Sequence, residues 1–478
     1  MILRKKDIAK LGATWMPFAD AASEGLPLGQ LLRLSLFQVS VGMATVLLLG
    51  TLNRVMIVEL SIPAMLVALM IAIPVLVAPF RAFLGHRSDT HRSAIGWKRV
   101  PYLWFGSLWQ MGGLAVMPFA LIVLSGDQYL GPQWAGEVLA ALAFLMTGVG
   151  MHMTQTAGLA LAADRASDET RPRVVALLYI MFLLGMGVSA VIVGYLLRDY
   201  DPITLVRVVH GCGAAKLVLN IIALWKQEKV APMTKAQREE PRPQFRDAWR
   251  DLMAGGTAGR LLARVVLGTL AFQMQDVLLE PYGGEILGLS GGATTLLTAA
   301  WAGGALVGFL LAARWLSRGM DPYRMAARGI LAGVAAFSCV IFAAPLDSTV
   351  VFYTGAFGIG FGGGLFGIST LTAAMTMPAR GLAGAGLALG AWGAAQATAA
   401  GLAILIGGTL RDVVGHLASA GKLGALTDPS IGYSAVYHFE IVLLFATLVV
   451  LGPLVKLGTL SPKPDADGGK MALADFPT

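Results

Sequence analysis

Twelve long apolar stretches, joined by short connectors whose basic residues fall almost wholly on alternate sides, limit what this chain can fold into. Each stretch has the ~20 residues needed to cross the hydrocarbon of a bilayer as a helix. Lipid offers no hydrogen bonds, so such runs must satisfy their own backbone, and helices do so. A mean hydropathy of +0.70, with 56% hydrophobic and 13% charged residues, exceeds what a water-soluble core of 478 residues requires. The fold class is therefore all-α integral membrane.

The spans are expected at about 31–58, 62–84, 101–125, 134–162, 174–197, 203–225, 261–287, 292–316, 323–345, 349–377, 383–410 and 434–458. With the N-terminus in the cytoplasm, the cytoplasmic segments hold about 30 of the 36 Lys and Arg. Only Arg54, Arg198, Arg207, Arg411 and Lys422 fall on the other side, and both termini are expected to be cytoplasmic. The net charge of +8 is thus read as membrane topology and not as a nucleic-acid surface. Arg4, Lys5, Lys6 and Lys10 are not adjacent to an apolar run, so no cleavable signal peptide is expected there.

Five regions follow: a cytoplasmic segment at 1–30, a six-helix bundle at 31–225, a basic linker at 226–260, a second six-helix bundle at 261–458 and a cytoplasmic tail at 459–478. In the linker, QFRDAWRDL spaces Phe245, Trp249 and Leu252 at i, i+4, i+7, which suits a short interfacial helix or an incidental stripe on a solvated loop. The two halves share faint similarity: Phe37-Gln38 against Phe272-Gln273, and Asp89 against Asp321 in basic connectors. Two six-span bundles related by an axis along the membrane normal are the pattern of the major facilitator superfamily.

Between spans two and three, Gly85 and Asp89 keep the G-x-x-x-D start of that superfamily's loop signature, followed by Arg92, Lys98 and Arg99. There the Gly admits a close helix and the Asp meets an Arg or a helix N-terminus across a gate. Simple positive-inside charge is the alternative. Between spans four and five, Asp164, Asp168 and Glu169 alternate with Arg165, Arg171 and Arg173, a pattern for local ion pairing at the same corner.

Polar groups inside spans are costly, which makes each a functional candidate. Asp276 and Glu280 lie four apart in span seven, ahead of Pro281, Gly283 and Gly284, where the helix should weaken. Asn53 and Arg54 end span one at similar depth, so Arg54 is a candidate partner for Glu280 or Asp276; snorkelling to headgroups is the alternative. His152 and Gln155 in span four, and His210 in span six, are candidate contacts for a tetrapyrrole, against the commoner role of a hydrogen bond between helices. Spans ten and eleven are dense in glycine, giving close packing or smooth slots for flat rings. Two isolated cysteines offer neither a disulfide framework nor a metal site. No hydrolase triad, HExxH, Walker A loop, dinucleotide fingerprint or paired Asp-rich loop occurs in a supporting context, so no enzyme is expected.

The strings LFQVSVGMATVLLLGTLNRVMIVEL, APFRAFLGHRSDTHRSAIGWKRVPY, TQTAGLALAADRA and FQMQDVLLEPYGGE resemble the PucC/LhaA family of purple phototrophic bacteria. The resemblance covers nearly all spans, and its LhaA-like branch, tied to the core antenna, is preferred over PucC itself. It implies a major facilitator fold in the bacterial inner (intracytoplasmic) membrane and a role in assembling light-harvesting complexes. The implied cargo is bacteriochlorophyll a, with carotenoid as a second candidate. The implied partners are antenna subunits, bacteriochlorophyll synthase, the Sec/YidC insertion machinery and membrane lipids. It supplies no ligand residue. A proton-coupled transporter of a small solute, working through Asp276 or Glu280, and a pigment-free assembly scaffold are the competing readings.

Overall fold

Apolar runs bounded by Pro, Asp, Ser and Gly become helices at nearly the expected bounds. The computed structural model describes residues 21–23, 25–52, 55–56, 64–124, 134–197, 201–289, 291–377, 383–424, 426–428 and 430–460. In the first half lie α1 (Leu28–Thr45, continuing as a wider turn over Val46–Thr51), α2 (Ala64–Val77), α3 (Phe80–Asp89), α4 (Val100–Leu124), α5 (Trp134–Arg165), α6 (Arg171–Leu196) and α7 (Pro202–Leu224). The linker carries α8 (Lys235–Glu239) and α9 (Phe245–Ala254). In the second half lie α10 (Thr257–Gln273), a 3₁₀ turn at Met274–Val277, α11 (Leu279–Glu285), α12 (Gly291–Ser317), α13 (Pro322–Ala343), α14 (Thr349–Met375), α15 (Ala385–Ser419) and α16 (Ser430–Leu460). No strand occurs among the described residues.

Eleven helices among the described residues are long and apolar enough to cross a membrane. The second expected span differs: it is two helices, α2 and α3, broken at Ala78–Pro79. Pro74 and Pro79 explain the break, because each lacks an N–H and crowds the preceding turn. Span seven is also interrupted, by the 3₁₀ turn that follows Gln273.

The starts of several helices are written in their first residues. Asp201 caps α7 by accepting from Thr204 N, Asp321 caps α13 through Arg324 N, and Ser348 caps α14 through Val351 N. Two of these caps precede a proline at the first helical position, where its missing N–H costs nothing.

Each half is a bundle with its own apolar interior. In the first, α4 packs along α5 and α7, and α1 along α6 and α7; in the second, α14 is embraced by α12 and α13. The halves meet where α3 crosses α15 and where α6 runs beside α12 and α14. The linker helix α9 does form, but its apolar side rests on protein: Phe245, Trp249 and Leu252 pack on a trough of Ala82, Ala383, Leu387 and Ala391 at the α3/α15 crossing. Small side chains at that crossing leave the trough, so protein takes the place expected of lipid headgroups.

Candidate functional site

The crossing of α3 and α15 is built on a glycine pair. A Cβ placed on Gly85 would stand 1.8 Å from the carbonyl oxygen of Gly386, so neither backbone could approach as it does with a larger residue. That proximity delivers the Asp89 carboxylate to the first turn of α15, where it accepts from Gly386 N at 2.9 Å and Leu387 N at 2.7 Å. Free N–H groups and the helix dipole both favour an anion there.

Asp89 also pairs with Arg99, whose side chain is 1% exposed. Arg99 reaches three groups: Asp89 through Nη2, Ser88 Oγ through Nη1, and Asp164 Oδ2 through Nε at 2.9 Å. Burial disfavours its charge, but the carboxylates of Asp89 and Asp164 outweigh that and raise its pKa. The Glu228 carboxylate, from the linker, accepts the backbone N–H groups of Lys98, Arg99 and Val100 at 2.9 to 3.1 Å and so caps α4. One acid, one arginine and a second acid thus tie three connectors and both halves together at the basic end of the bundle.

Other residues extend the closure. Arg92 pairs with Glu240 at 3.2 Å, and Arg171 with Asp168 at 2.6 Å; the Lys98 side chain is exposed, and Arg173 has interactions of its own. Arg165 donates to Gly25 O, Gln30 and Gln227, joining the segment before α1 to the linker. Arg81, inside α3 and 2% exposed, donates to Thr156 Oγ1 at 3.1 Å and to Gly393 O at 3.4 Å.

Between the halves lies a cavity of about 190 Å³. Its walls include Tyr179 and Phe182 of α6, Phe272 and Gln273 of α10, Trp301 and Phe309 of α12, and Gly363 and Gly367 of α14. None of the residues lining it carries a charge. The glycines of α14 divide their work: Gly360 and Gly364 close on the α12 backbone, while Gly363 and Gly367 leave smooth wall beside Phe272 and Tyr179. A larger, mostly apolar groove, about 400 Å³, opens on the side of the first bundle between α4 and α7, lined by Trp97, Trp104, Phe105 and Trp225, with Lys226 and Glu228 at its connector end.

The family model described as PUCC protein matches residues 51–459. The chain belongs to the PUCC protein family. It is 69% identical, over the whole length of both chains, to a Rhodobacter capsulatus protein described as "Uncharacterized protein in puhA-bchM intergenic region". It is 55% identical to protein PucC of Rhodovulum sulfidophilum, over 85% of this chain and 90% of that one. A more distant relative, 28% identical over 80% of this chain and 88% of its own, is the "Bacteriochlorophyll synthase 44.5 kDa chain" of Rhodobacter capsulatus. Among solved structures, a bacterial homologue of the iron transporter ferroportin in an outward-facing state superposes with a TM-score of 0.66 at 16% identity, covering 89% of this chain and 98% of that one. The proton:xylose symporter XylE of the major facilitator superfamily gives 0.61 at 15% identity, covering 90% and 95%. The fold of this PUCC-family chain is that of the major facilitator superfamily.

Within this family member the histidines hold helices together. His152 Nε2 lies 2.8 Å from the Pro74 carbonyl oxygen. Because Ala78 N turns back to Val75 O at the α2/α3 break, Pro74 O is left without a helical donor, and the imidazole N–H supplies one. His152 Nδ1 is buried without a partner, and Gln155 beside it is half-buried. His210 Nε2 contacts the Ala115 carbonyl at 2.8 Å, tying α7 to α4. Neither histidine lines the central cavity or the lateral groove.

Asp276 sits exposed on the 3₁₀ turn and receives Gln275 Nε2. Asn53, Arg54 and the side chain of Glu280 lie outside the described residues, and with them the proposed Arg54 pair. Two other acids are placed: Glu285, one of the polar residues of span seven, and Glu440, which the sequence did not single out. Glu285 pairs with Arg411 at 2.7 Å and accepts from Tyr433. Glu440 of α16, fully buried, accepts the Gln275 backbone N–H at 2.8 Å and so serves the break in span seven. Its signal was available: a lone acid in YHFEIVLL is costly in lipid without a task. Arg81 and Glu228 carried weaker signals, one at a span end and one among many linker charges.

Proposed function

We propose that the chain is a non-enzymatic assembly factor for photosynthetic light-harvesting complexes, with the core antenna as its target, which carries bacteriochlorophyll a to antenna subunits within the membrane. The observation that carries the reading is the character of its hollows: the central cavity has no charged wall, and the lateral groove is mainly aromatic and aliphatic, with three tryptophans and a phenylalanine, and carries Lys226 and Glu228 only at its connector end. Such surfaces suit a flat apolar ring far better than an ion or a sugar, which need convergent polar groups. The family membership, and a distant relative described by reference to bacteriochlorophyll, are consistent with a pigment cargo.

Size selects between the two hollows. Ligand pockets span roughly 300–1,000 Å³. The closed central cavity, at about 190 Å³, falls short, and the lateral groove, at about 400 Å³, does not. The groove is therefore the proposed seat of the ring, reached from the lipid without separating the halves. Carotenoid is a second cargo of compatible chemistry, and bacteriochlorophyll synthase and the Sec/YidC machinery are the proposed partners upstream and at insertion. The basic end is assigned to the cytoplasmic face of the bacterial inner membrane, with both termini there.

A solute transporter is the second reading, favoured by the brace at the basic end and by the broken span seven, both suited to rocking halves. An absorption spectrum of gently purified protein decides between them. Pigment should co-purify, should be lost from a Trp104→Ala/Trp225→Ala variant and should survive in Gly363→Leu, which fills the central cavity. Pigment-free protein that moves a solute into liposomes would overturn the assignment.

A further inference from the structure

The two halves treat their equivalent connectors differently. After span two, Arg99 is neutralised by Asp89 and Asp164. After span eight, Arg314, Arg318, Arg324 and Arg328 accompany a single acid, Asp321. That carboxylate is committed to the Arg324 backbone N–H, capping α13. The segment after span ten, MPARG, offers no acid where the first half supplies Asp164.

Arg318, Arg324 and Arg328 share one pocket with Trp315, Met320 and Asp321, three guanidiniums to one carboxylate, and none of the three is in an ion pair among the described residues. Arg328 also lies over the Trp315 ring, 5.9 Å from its centroid. On the neighbouring α10, Arg264 is fully buried without a hydrogen-bond acceptor, its guanidinium 4.6 Å above the ring of Tyr323 in the first turn of α13. Three guanidiniums around one carboxylate leave the pocket with net positive charge that a further anion would balance, and their fork geometry matches phosphate oxygens. The pocket lies at the basic ends of α12 and α13, the level of the headgroups, where a tryptophan and a methionine can meet the first methylenes of an acyl chain.

We propose that this pocket binds the phosphodiester headgroup of an anionic phospholipid, which takes in the second half the place that Asp164 holds in the first. Basic pockets between helices at a membrane face are suited to such headgroups.

The test uses the delipidated full-length protein in detergent, titrated with phosphatidylglycerol or phosphatidylcholine and read by native mass spectrometry. Phosphatidylglycerol should give one tightly bound lipid and phosphatidylcholine should not. Each cation near a headgroup contributes roughly fivefold, so Arg318→Gln/Arg324→Gln/Arg328→Gln together should weaken that lipid on the order of a hundredfold. If the triple variant does not fold, Arg324→Gln alone should show the single fivefold step, and an Arg324→Lys variant, which keeps the charge but not the fork, should recover only part of it. Equal affinity of wild type and variant for phosphatidylglycerol, equal binding of the two lipids, or displacement by equimolar inorganic phosphate would each overturn the proposal.

Discussion

Asp89 and Arg99 form the centre of a closure in which one carboxylate serves both a buried guanidinium and the first turn of a helix in the opposite half. Removing Asp89 leaves Arg99 with Asp164 alone and strands the Gly386 and Leu387 N–H groups, so the cost should fall below the about 3–5 kcal/mol of leaving a buried charge wholly uncompensated. Asp89→Ala should therefore lower the thermal midpoint and loosen the basic end. The loosening can be read as faster alkylation of a cysteine at Ala383, in protein lacking Cys212 and Cys339. Asp89→Asn retains an acceptor and should be milder; an unchanged alkylation rate in Asp89→Ala would show that the closure rests elsewhere.

Gly85 tests the same closure by sterics. With a Cβ 1.8 Å from Gly386 O, even Gly85→Ala must move one helix backbone. Overpacking of this kind costs about 1–3 kcal/mol. The expected result is a lower melting temperature for Gly85→Ala, with Gly187→Ala, whose Cβ would meet nothing within 4 Å, melting like wild type.

The all-helical membrane fold was legible because lipid enforces it: apolar length forecast most helix bounds, eleven of the twelve expected spans appear as long apolar helices among the described residues, and span two is broken into α2 and α3. The Gly85–Asp89–Arg99 cluster was legible as a motif, although its partners at Gly386 and Leu387 lie in the other half and no local pattern names them. The α2/α3 break was less so. Pro74 and Pro79 forecast a kink, but which carbonyl is orphaned and which side chain answers depends on where α5 packs. For His152 the sequence offered a hydrogen bond between helices as the commoner role and a tetrapyrrole contact as the other, and only packing shows the Pro74 carbonyl beside it.

His152 is predicted to act first through that carbonyl. His152→Leu leaves Pro74 O buried without a donor, costing about 1–3 kcal/mol. His152→Gln, which can donate through its amide, should recover part of the loss in melting temperature. Both variants should keep any co-purified pigment band if the ring sits in the lateral groove; loss of the band with unchanged melting would instead assign His152 to the pigment.

The 2–3 connector should respond to acid through His91. Burial, then the nearby Arg242 and Arg87, depress its pKa below the ordinary value of 6.5, against an opposing pull from Glu228. A histidine with a depressed folded pKa contributes stability that is present above 6.5 and is lost as pH falls below it through the folded value. The ring also packs edge-on to Tyr102 at 5.3 Å, tying the connector to α4. The protection of residues 90–98 against hydrogen exchange, corrected for the slower intrinsic exchange in acid, should therefore fall between pH 7.5 and 5.5. In His91→Asn that pH dependence should vanish, and its persistence would place the titration on another group.

Glu440 makes the last prediction because it is the buried group on which the break in span seven depends. When α10 gives way to a 3₁₀ turn after Gln273, the Gln275 N–H leaves the regular ladder, and Glu440 Oε1 accepts it from a different helix. No cation pairs with Glu440 among the described residues, so its task here is to accept a hydrogen bond, and an amide oxygen can perform it. Glu440→Gln should thus melt close to wild type, whereas Glu440→Leu strands the N–H at a cost of about 1–3 kcal/mol. The comparison also bears on transport: a proton-coupled carrier working through this carboxyl would lose its coupled uptake in Glu440→Gln despite the preserved fold. A pigment-carrying assembly factor should retain both its antenna yield and its melting temperature in the same variant.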